Sequence, residues 1–311
     1  MDPEGKIICS PINGLANRFR AMHSAYNLSR QLNRKFEIKW CPEPKTNCLF
    51  EDIFEYNDFF TNSNFNFNFK EIRKLGVESK IRTLQSKDFI YFQLGSENEN
   101  IDLIRSSDVQ NIIIINGGYM PGTHSENKSE EADFYSKFEV KSHIQDELFK
   151  FWMSYENKNV LGLHVRLTDN MRPHGNLNIS YKNYRSNKKL FAKNVCKKII
   201  DYIKNKDFDF LFLCSDSKDV YDFFKENFNK KLFYYKNIQS ERGTKEGIID
   251  AYIDWHLLGK CESIICSPGS TFGPCAAARK SKPFEILKDM FDFGQDTLKI
   301  KIRNKETTLK L

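Results

Sequence analysis

The chain has 311 residues, 40% hydrophobic and 29% charged, with 48 lysines and arginines against 41 aspartates and glutamates. That is enough for one large soluble α/β unit or two domains with a sizeable core. No run approaches the roughly 18–20 apolar residues of a spanning helix, and the opening "MDPEGKIICS" is acidic and lacks the long apolar stretch of a secretory signal.

The net charge of +7 admits an anionic ligand, a phospholipid surface or nucleic acid as partner. The basic residues are scattered, as in "KNVCKKIIDYIKNKD", and a solvated helix face accounts for them better than a binding arm. Eight cysteines (Cys9, Cys41, Cys48, Cys196, Cys214, Cys261, Cys266, Cys275) sit mostly in apolar contexts and form no C-x-x-C pair. They read as small buried thiols of a reducing compartment rather than as disulfides or a zinc site.

In chain order, "KIICSPI" is a short apolar run closed by Pro11, Asn13 and Gly14, and reads as a first strand. Phe19, Met22, Ala25, Tyr26, Leu28 and Leu32 then recur at helical spacing, and "KFEIKW" is a second strand. This is a strand–helix–strand unit of a parallel sheet. "FFTNSNFNFNF", whose phenylalanines favour a packed edge strand or loop, falls in the less legible stretch from 50 to 110. "NIIIINGGYM" is a strand ending at paired glycines, and "SHIQDELFKFWMSYENKN" a helix.

The alternation then resumes with the strand "NVLGLHVR", the helix "NKKLFAKNVCKKIIDYIKN" and the strand "DFLFLCSDS". The helix "KDVYDFFKENF", the strand "KLFYYK" and the amphipathic helix "KEGIIDAYIDWHLLGKC" follow. Last come the strand and glycine-punctuated loop "ESIICSPGSTFG" and a helix opened by "GPCAAARK". The pattern predicts two α/β halves, residues 1–155 and 156–311, without internal repeats.

Ligands of parallel α/β sheets bind where strand C-termini meet helix N-termini. Three strands of the second half end in suitable groups: His164, Arg166, Asp169 and Asn170; Ser215, Asp216 and Ser217; Ser267, Gly269, Ser270, Thr271 and Phe272. The first-half turn "NGLANR" offers Asn13, Gly14, Asn17 and Arg18 at the same kind of place. "SPGSTFGP" suits phosphate: Gly269 permits close backbone approach, Ser270 and Thr271 supply hydroxyls, and a helix start supplies N–H groups. A turn that merely caps a helix fits it equally well. It is no Walker loop, and no G-x-G-x-x-G follows either early strand.

Arg166 is more telling, because a guanidinium costs several kcal/mol to bury unpaired. A diphosphate would pair it bidentately. An internal ion pair with Asp169 or another carboxylate would also answer, and "SPGSTF" nearby favours the anion. His164 reads as a base or as a hydrogen-bonded core histidine. Asp169 and Asp216 read as bases, as ribose or base contacts, or as helix caps. Asp207 and Asp209 precede their strand and read as a turn, with no metal assigned.

"NGLANRFRAMHSAYNLSRQLNRKFEIKW", "HVRLTDN" and "EGIIDAYIDWHLLGKCESIICSPGSTF", in that order, resemble the fucosyltransferase superfamily. It comprises the nodulation, α1,2-, α1,6- and protein O-fucosyltransferases. The likeness spans most of the chain except residues 50 to 150. It implies a GT-B architecture: two Rossmann-like domains with parallel sheets facing across a cleft, the N-terminal one on the acceptor side and the C-terminal one binding the nucleotide sugar.

The resemblance implies inverting, metal-independent transfer from a GDP-sugar, most often GDP-fucose, to a hydroxyl of an oligosaccharide, glycoprotein or lipid-linked glycan. No cofactor is implied beyond that donor. Arg166 would grip the diphosphate. Gly269, Ser270, Thr271 and Phe272 would contact phosphate and nucleotide, with His164 on the same strand as Arg166. Asp216 would sit near the guanosine. Gly14, Asn17 and Arg18 would lie in the turn facing donor and acceptor, and Asp169 is the candidate base. Several members carry a second basic residue after the arginine; here that position is Leu167, which leaves the donor sugar open.

A transferase of the same fold using another nucleotide sugar is the alternative. A nucleic-acid-binding protein is disfavoured by the scattered charge, and a non-catalytic carbohydrate-binding module would need no diphosphate site. Without an anchor the enzyme is expected in the cytoplasm, reaching lipid-linked glycans through peripheral lysine contacts with an anionic membrane.

Overall fold

The computed structural model describes residues 5–44, 46–65, 83–85, 89–93, 104–105, 108–120, 123, 128–167, 181–236, 243–287, 297–302 and 305–310. The chain divides into two compact units: Met1–Lys150 with Ser240–Ile253 and Ala278–Ser281, and Phe151–Gln239 with Asp254–Ala277 and Lys282–Leu311.

The first unit is built on a five-stranded sheet of β1 (Lys6–Pro11), β2 (Lys35–Ile38), β3 (Thr83–Gln85), β4 (Phe89–Gln93) and β5 (Asn111–Asn116), in the order β2-β1-β5-β4-β3. β1 pairs in parallel with both β2 and β5, and β4 with β5; only β3 runs antiparallel, against β4. Helix α1 (Leu15–Gln31) makes the crossover from β1 to β2. Helices α2 (Lys128–Ser136) and α3 (Ser142–Trp152) follow.

Much of this unit's core is phenylalanine. Phe19, Phe50, Phe54, Phe60 and Phe134 are fully buried, and Phe60 stacks on Phe138 at 4.3 Å between ring centroids. Such pairs add about 0.5–1.5 kcal/mol beyond their area. The phenylalanine–asparagine stretch contributes Phe59 and Phe60 to this core from an irregular segment touching β2 by one bridge, Ile38 to Asn62; residues 66–69 lie outside the described residues.

The second unit carries a wholly parallel sheet of β6 (Val160–Val165), β7 (Phe210–Ser215), β8 (Leu232–Phe233), β9 (Ser263–Cys266) and β10 (Phe284–Ile286), ordered β10-β9-β6-β7-β8. β6 is central, and all six of its residues are buried. That is why "VLGLHV" reads as continuous rather than alternating apolar sequence. The crossovers run through α4 (Tyr181–Ile203), α5 (Lys218–Phe228), α6 (Lys245–Leu258) and α7 (Phe272–Ala278). Boundaries between the units fall within α3, α6 and α7.

Val195, Ile199 and Ile203 of α4 and Val220, Tyr221 and Phe224 of α5 pack with Leu161, Leu163, Leu211 and Leu213 in one core. The strand expected over "KLFYYK" is only the two residues of β8. An antiparallel hairpin, β11 (Thr297–Ile302) with β12 (Lys305–Lys310), ends the chain. Neither it nor β3, β4, α2 and β10 was expected from sequence. The fold class is α/β with parallel sheets, as expected.

Two glycines mark close approaches in the second unit. A Cβ on Gly162 would lie 2.8 Å from Leu258 Cδ1, and one on Gly273 only 2.4 Å from Cys266 Sγ. Gly273 therefore lets α7 settle directly against β9.

All eight cysteines are free, and only Cys41 is more than slightly exposed. Burial pushes the Cys48 and Cys196 thiols up to about 12. Since the thiolate is the reactive form, an aromatic disulfide reagent at pH 8 is expected to titrate about one thiol per native chain quickly and all eight after denaturation. Rapid native reaction of several thiols would contradict this packing.

Candidate functional site

In the second unit, the described buried polar residues are His164, Ser215, Asp254, Ser267 and Ser270. Four of them sit at or just past the C-terminal ends of β6, β7 and β9. The fifth, Asp254 on α6, accepts a hydrogen bond from Cys214 Sγ at its main-chain oxygen, 3.7 Å away. Its carboxylate was not singled out from sequence, where it passes as one more polar position of an amphipathic helix; its 5% exposure is a tertiary fact.

β6 delivers Arg166 one residue beyond its last rung. The Arg166 side chain is 21% exposed, and its Nε lies 3.9 Å from Asp216 Oδ2. That is an ion pair too long for a hydrogen bond. The other Asp216 oxygen, Oδ1, accepts the Leu167 N–H at 2.9 Å. The Arg166 N–H donates to Ser267 Oγ at 2.8 Å, and that hydroxyl in turn donates to the His164 carbonyl at 3.0 Å. Asp216 thus stands beside the arginine and is its internal carboxylate partner. Leu167 is 1% exposed and part of the core, so the position after the arginine supplies no second cation. Asp169 and Asn170 lie outside the described residues.

The end of β7 is rigidly held. The Tyr221 hydroxyl accepts the Ser215 N–H at 2.9 Å and donates to the Ser215 carbonyl at 3.2 Å. Burial, reinforced by the Asp254 carboxylate, pushes the Tyr221 phenol far above its ordinary value, so it remains a donor. The Ser217 N–H closes the turn on Ser215 Oγ at 3.2 Å.

After β9 the chain turns through Gly269 at φ +70°, a left-handed conformation that glycine adopts without steric cost. Ser270 is buried and its Oγ accepts the Phe272 N–H at 3.4 Å, while the Thr271 carbonyl accepts the Cys275 N–H at 3.1 Å. Phe272 stacks on the His164 ring, centroids 5.1 Å apart and planes 28° apart. The structure thereby gives His164 a buried, stacked place. α7 has only seven residues, so the helix-start contribution expected at "SPGSTF" is small, and the loop's own amides and hydroxyls matter more.

In the first unit the turn after β1 is organised around Arg18. Arg18 is fully buried. Its Nε donates to the Asn13 carbonyl at 3.1 Å and its Nη2 to the Cys41 carbonyl at 2.9 Å. Nη2 also lies 3.4 Å from Glu43 Oε2, and the guanidinium sits 4.4 Å from the Trp40 ring centroid. The same Glu43 oxygen accepts the Asn13 N–H at 3.0 Å. Arg18 is a structural rivet for this turn, and sequence could not show Glu43 folding back onto it.

Asn13 is left-handed at φ +69°, tolerable for asparagine, and Gly117 leaves room for its side chain. Gly14 precedes α1 in extended conformation, and Asn17 is half-buried on the first turn. Further along α1, Arg20 covers the Tyr119 ring, whose hydroxyl, with that of Tyr135, donates to buried Glu131.

Asp207 and Asp209 form the expected turn: the Asp209 carboxylate accepts the Asn159 N–H at 2.9 Å and the Asp207 carbonyl the Asn159 side chain at 3.2 Å. Among the described residues no group of three or more His, Cys, Asp or Glu is placed to hold a metal ion, and no helix is long and apolar enough to cross a membrane.

No protein-family model matches the chain, and no curated protein sequence does. Solved structures do. The fold is similar to that of the α1,6-fucosyltransferase NodZ soaked with GDP-fucose, at 17% identity and TM-score 0.60, over 88% of this chain and 92% of that one. A NodZ structure from Bradyrhizobium gives 18% and 0.59 over 88% and 91%. A variant of Arabidopsis thaliana FUT1 in complex with GDP gives 12% and 0.56 over 91% and 70%, and POFUT1 with GDP-fucose 12% and 0.54 over 93% and 99%. The fold is therefore that of the GT-B glycosyltransferases. The particular proteins that share it here are fucosyltransferases.

Removing one partner of a buried ion pair typically costs about 3–5 kcal/mol. Arg18→Met, which takes the guanidinium away from the buried Glu43 carboxylate, is expected to lower the unfolding free energy by about that amount in urea titrations. A change below about 1 kcal/mol would contradict the rivet role.

Proposed function

We propose that the protein transfers fucose from GDP-fucose to a hydroxyl of a glycan acceptor, with inversion and without a metal ion. The observation that carries the reading is the convergence of Arg166, Asp216, Ser267 and the Gly269–Thr271 turn at the C-terminal ends of β6, β7 and β9. This is the part of a parallel sheet where nucleotides bind. Neighbours in fold are known with GDP and GDP-fucose bound.

Breaking the glycosidic bond puts negative charge on the departing GDP. Fixed donors aimed at that charge supply the largest expected rate term. Arg166 would hold the diphosphate, while the Gly269 backbone and the Ser270 and Thr271 hydroxyls would close on the phosphates. Phe272 and His164 would form an apolar wall beside them. Asp216, already tied to Leu167 and Arg166, would act by holding the arginine more than by reading the base.

Inversion requires a base for the acceptor proton, and Asp169, three residues after Arg166, is the candidate. Gly14, in the turn after β1, would contact the donor and Asn17, on the first turn of α1, would take part in catalysis, with residues 1–155 forming the acceptor domain and 156–311 the donor domain. The acceptor would be an oligosaccharide, a glycoprotein or a lipid-linked glycan met by a cytoplasmic enzyme, in the last case with peripheral contact to an anionic membrane. The buried Leu167, where a second cation would otherwise assist, keeps another nucleotide sugar as the alternative donor.

Losing an arginine–phosphate contact of about 2–3 kcal/mol weakens binding roughly 30- to 150-fold. Calorimetric titration is expected to show GDP binding by the wild type and a loss of that size in Arg166→Ala, with circular dichroism unchanged. GDP release from GDP-fucose should exceed that from other GDP- and UDP-sugars. Unchanged GDP affinity in Arg166→Ala would remove the assignment, and preference for another sugar would move it to the alternative donor.

A further inference from the structure

A guanidinium can grip a diphosphate in advance only if the main chain beneath it is held. The ladders around β6 stop at His164 against Cys266 on one side and at Val165 against Ser215 on the other. In a parallel sheet a central strand bonds its two neighbours with alternate residues. The His164 carbonyl accordingly accepts the Ser267 N–H from the β9 side, at 2.9 Å. Arg166 is the next residue whose N–H points to that side, and Leu167 the next toward β7.

Neither of these N–H groups has a strand left to pair with, yet both are bonded. Ser267 Oγ accepts the first at 2.8 Å and Asp216 Oδ1 the second at 2.9 Å. Two side chains thus replace the missing rungs of the ladder, one from each flanking strand. Ser267 is the more fixed of the two. It is 3% exposed, its own N–H is on the His164 carbonyl, and its hydroxyl proton goes to that same carbonyl at 3.0 Å. With the proton so directed, the oxygen lone pairs face the Arg166 N–H. The peptide that carries Arg166 is therefore oriented by the Ser267 hydroxyl.

We infer that Ser267 is a positioning residue for Arg166: its hydroxyl, with the Asp216 carboxylate on the other side, extends the sheet by one rung and aims the guanidinium for the donor diphosphate. The inference rests on the donor-site reading of Arg166 above.

If Ser267 acts through Arg166, its removal matters only while the arginine is present, which a double-mutant cycle measures. Ser267→Ala is expected to weaken GDP binding about tenfold in the wild-type background, as for one hydrogen bond of about 1.4 kcal/mol. In the Arg166→Ala background, titrated to millimolar GDP, the same change should alter affinity less than about twofold. Ser267→Thr, which keeps the hydroxyl, should restore most of the affinity.

Equal losses in both backgrounds would overturn the inference, because Ser267 would then act independently of Arg166. So would a silent Ser267→Ala, or a Ser267→Thr as weak as Ser267→Ala. Should Ser267→Ala fail to fold, Ser267→Cys, near-isosteric and a weaker hydrogen-bonding group, carries the same cycle. A silent Ser267→Ala beside a crippled Arg166→Ala sinks only the positioning role. An Arg166→Ala variant with normal GDP affinity sinks the donor-site reading itself.

Discussion

A guanidinium at the end of a buried parallel strand needs either an internal partner or a ligand, because desolvating the charge costs several kcal/mol. Arg166 has a carboxylate beside it, at 3.9 Å, and keeps a fifth of its side chain exposed. That pairing neutralises the charge without enclosing it. The same carboxylate ties down the Leu167 amide, so the group that balances the arginine also helps to fix its backbone. Arg18 shows the opposite outcome for the same residue type: two main-chain carbonyls, Glu43 and the Trp40 face enclose it completely. Exposure and the length of the ion pair separate the two arginines.

Much of the fold was legible because parallel α/β units write strong local signals. "VLGLHV" and "FLFLCS" are continuous apolar runs because both faces of a central parallel strand are covered. "KDVYDFFKENF" places Val220, Tyr221 and Phe224 on one buried face. Short edge strands were not legible: β3 and β10 have three residues each and β8 two, too few for a periodicity to show. β8 and β10 pair with strands about twenty residues away, which no local pattern shows.

The candidate site was legible at strand ends and illegible where it depends on packing. The polar residues after β6, β7 and β9 stood out against apolar strands. Sequence alone could not separate Arg18 from Arg166, since each follows a strand and what distinguishes them is a carboxylate 25 residues away in one case and 50 in the other. Asp254 and the orienting bonds of Ser267 were hidden for the same reason. The seven-residue α7 and the buried Leu167 also change the expected electrostatics. With no cation at position 167 and a short helix, stabilisation of a departing diphosphate would fall mainly on Arg166 and the Gly269 turn.

The central claim concerns where one side chain points when the donor is bound. A crystal structure of the GDP complex tests it directly. The account predicts terminal nitrogens of Arg166 at about 2.7–2.9 Å from diphosphate oxygens, with Ser267 still on the Arg166 amide and the Gly269 turn against the phosphates. GDP bound away from the ends of β6, β7 and β9, with Arg166 still beside Asp216, would contradict it.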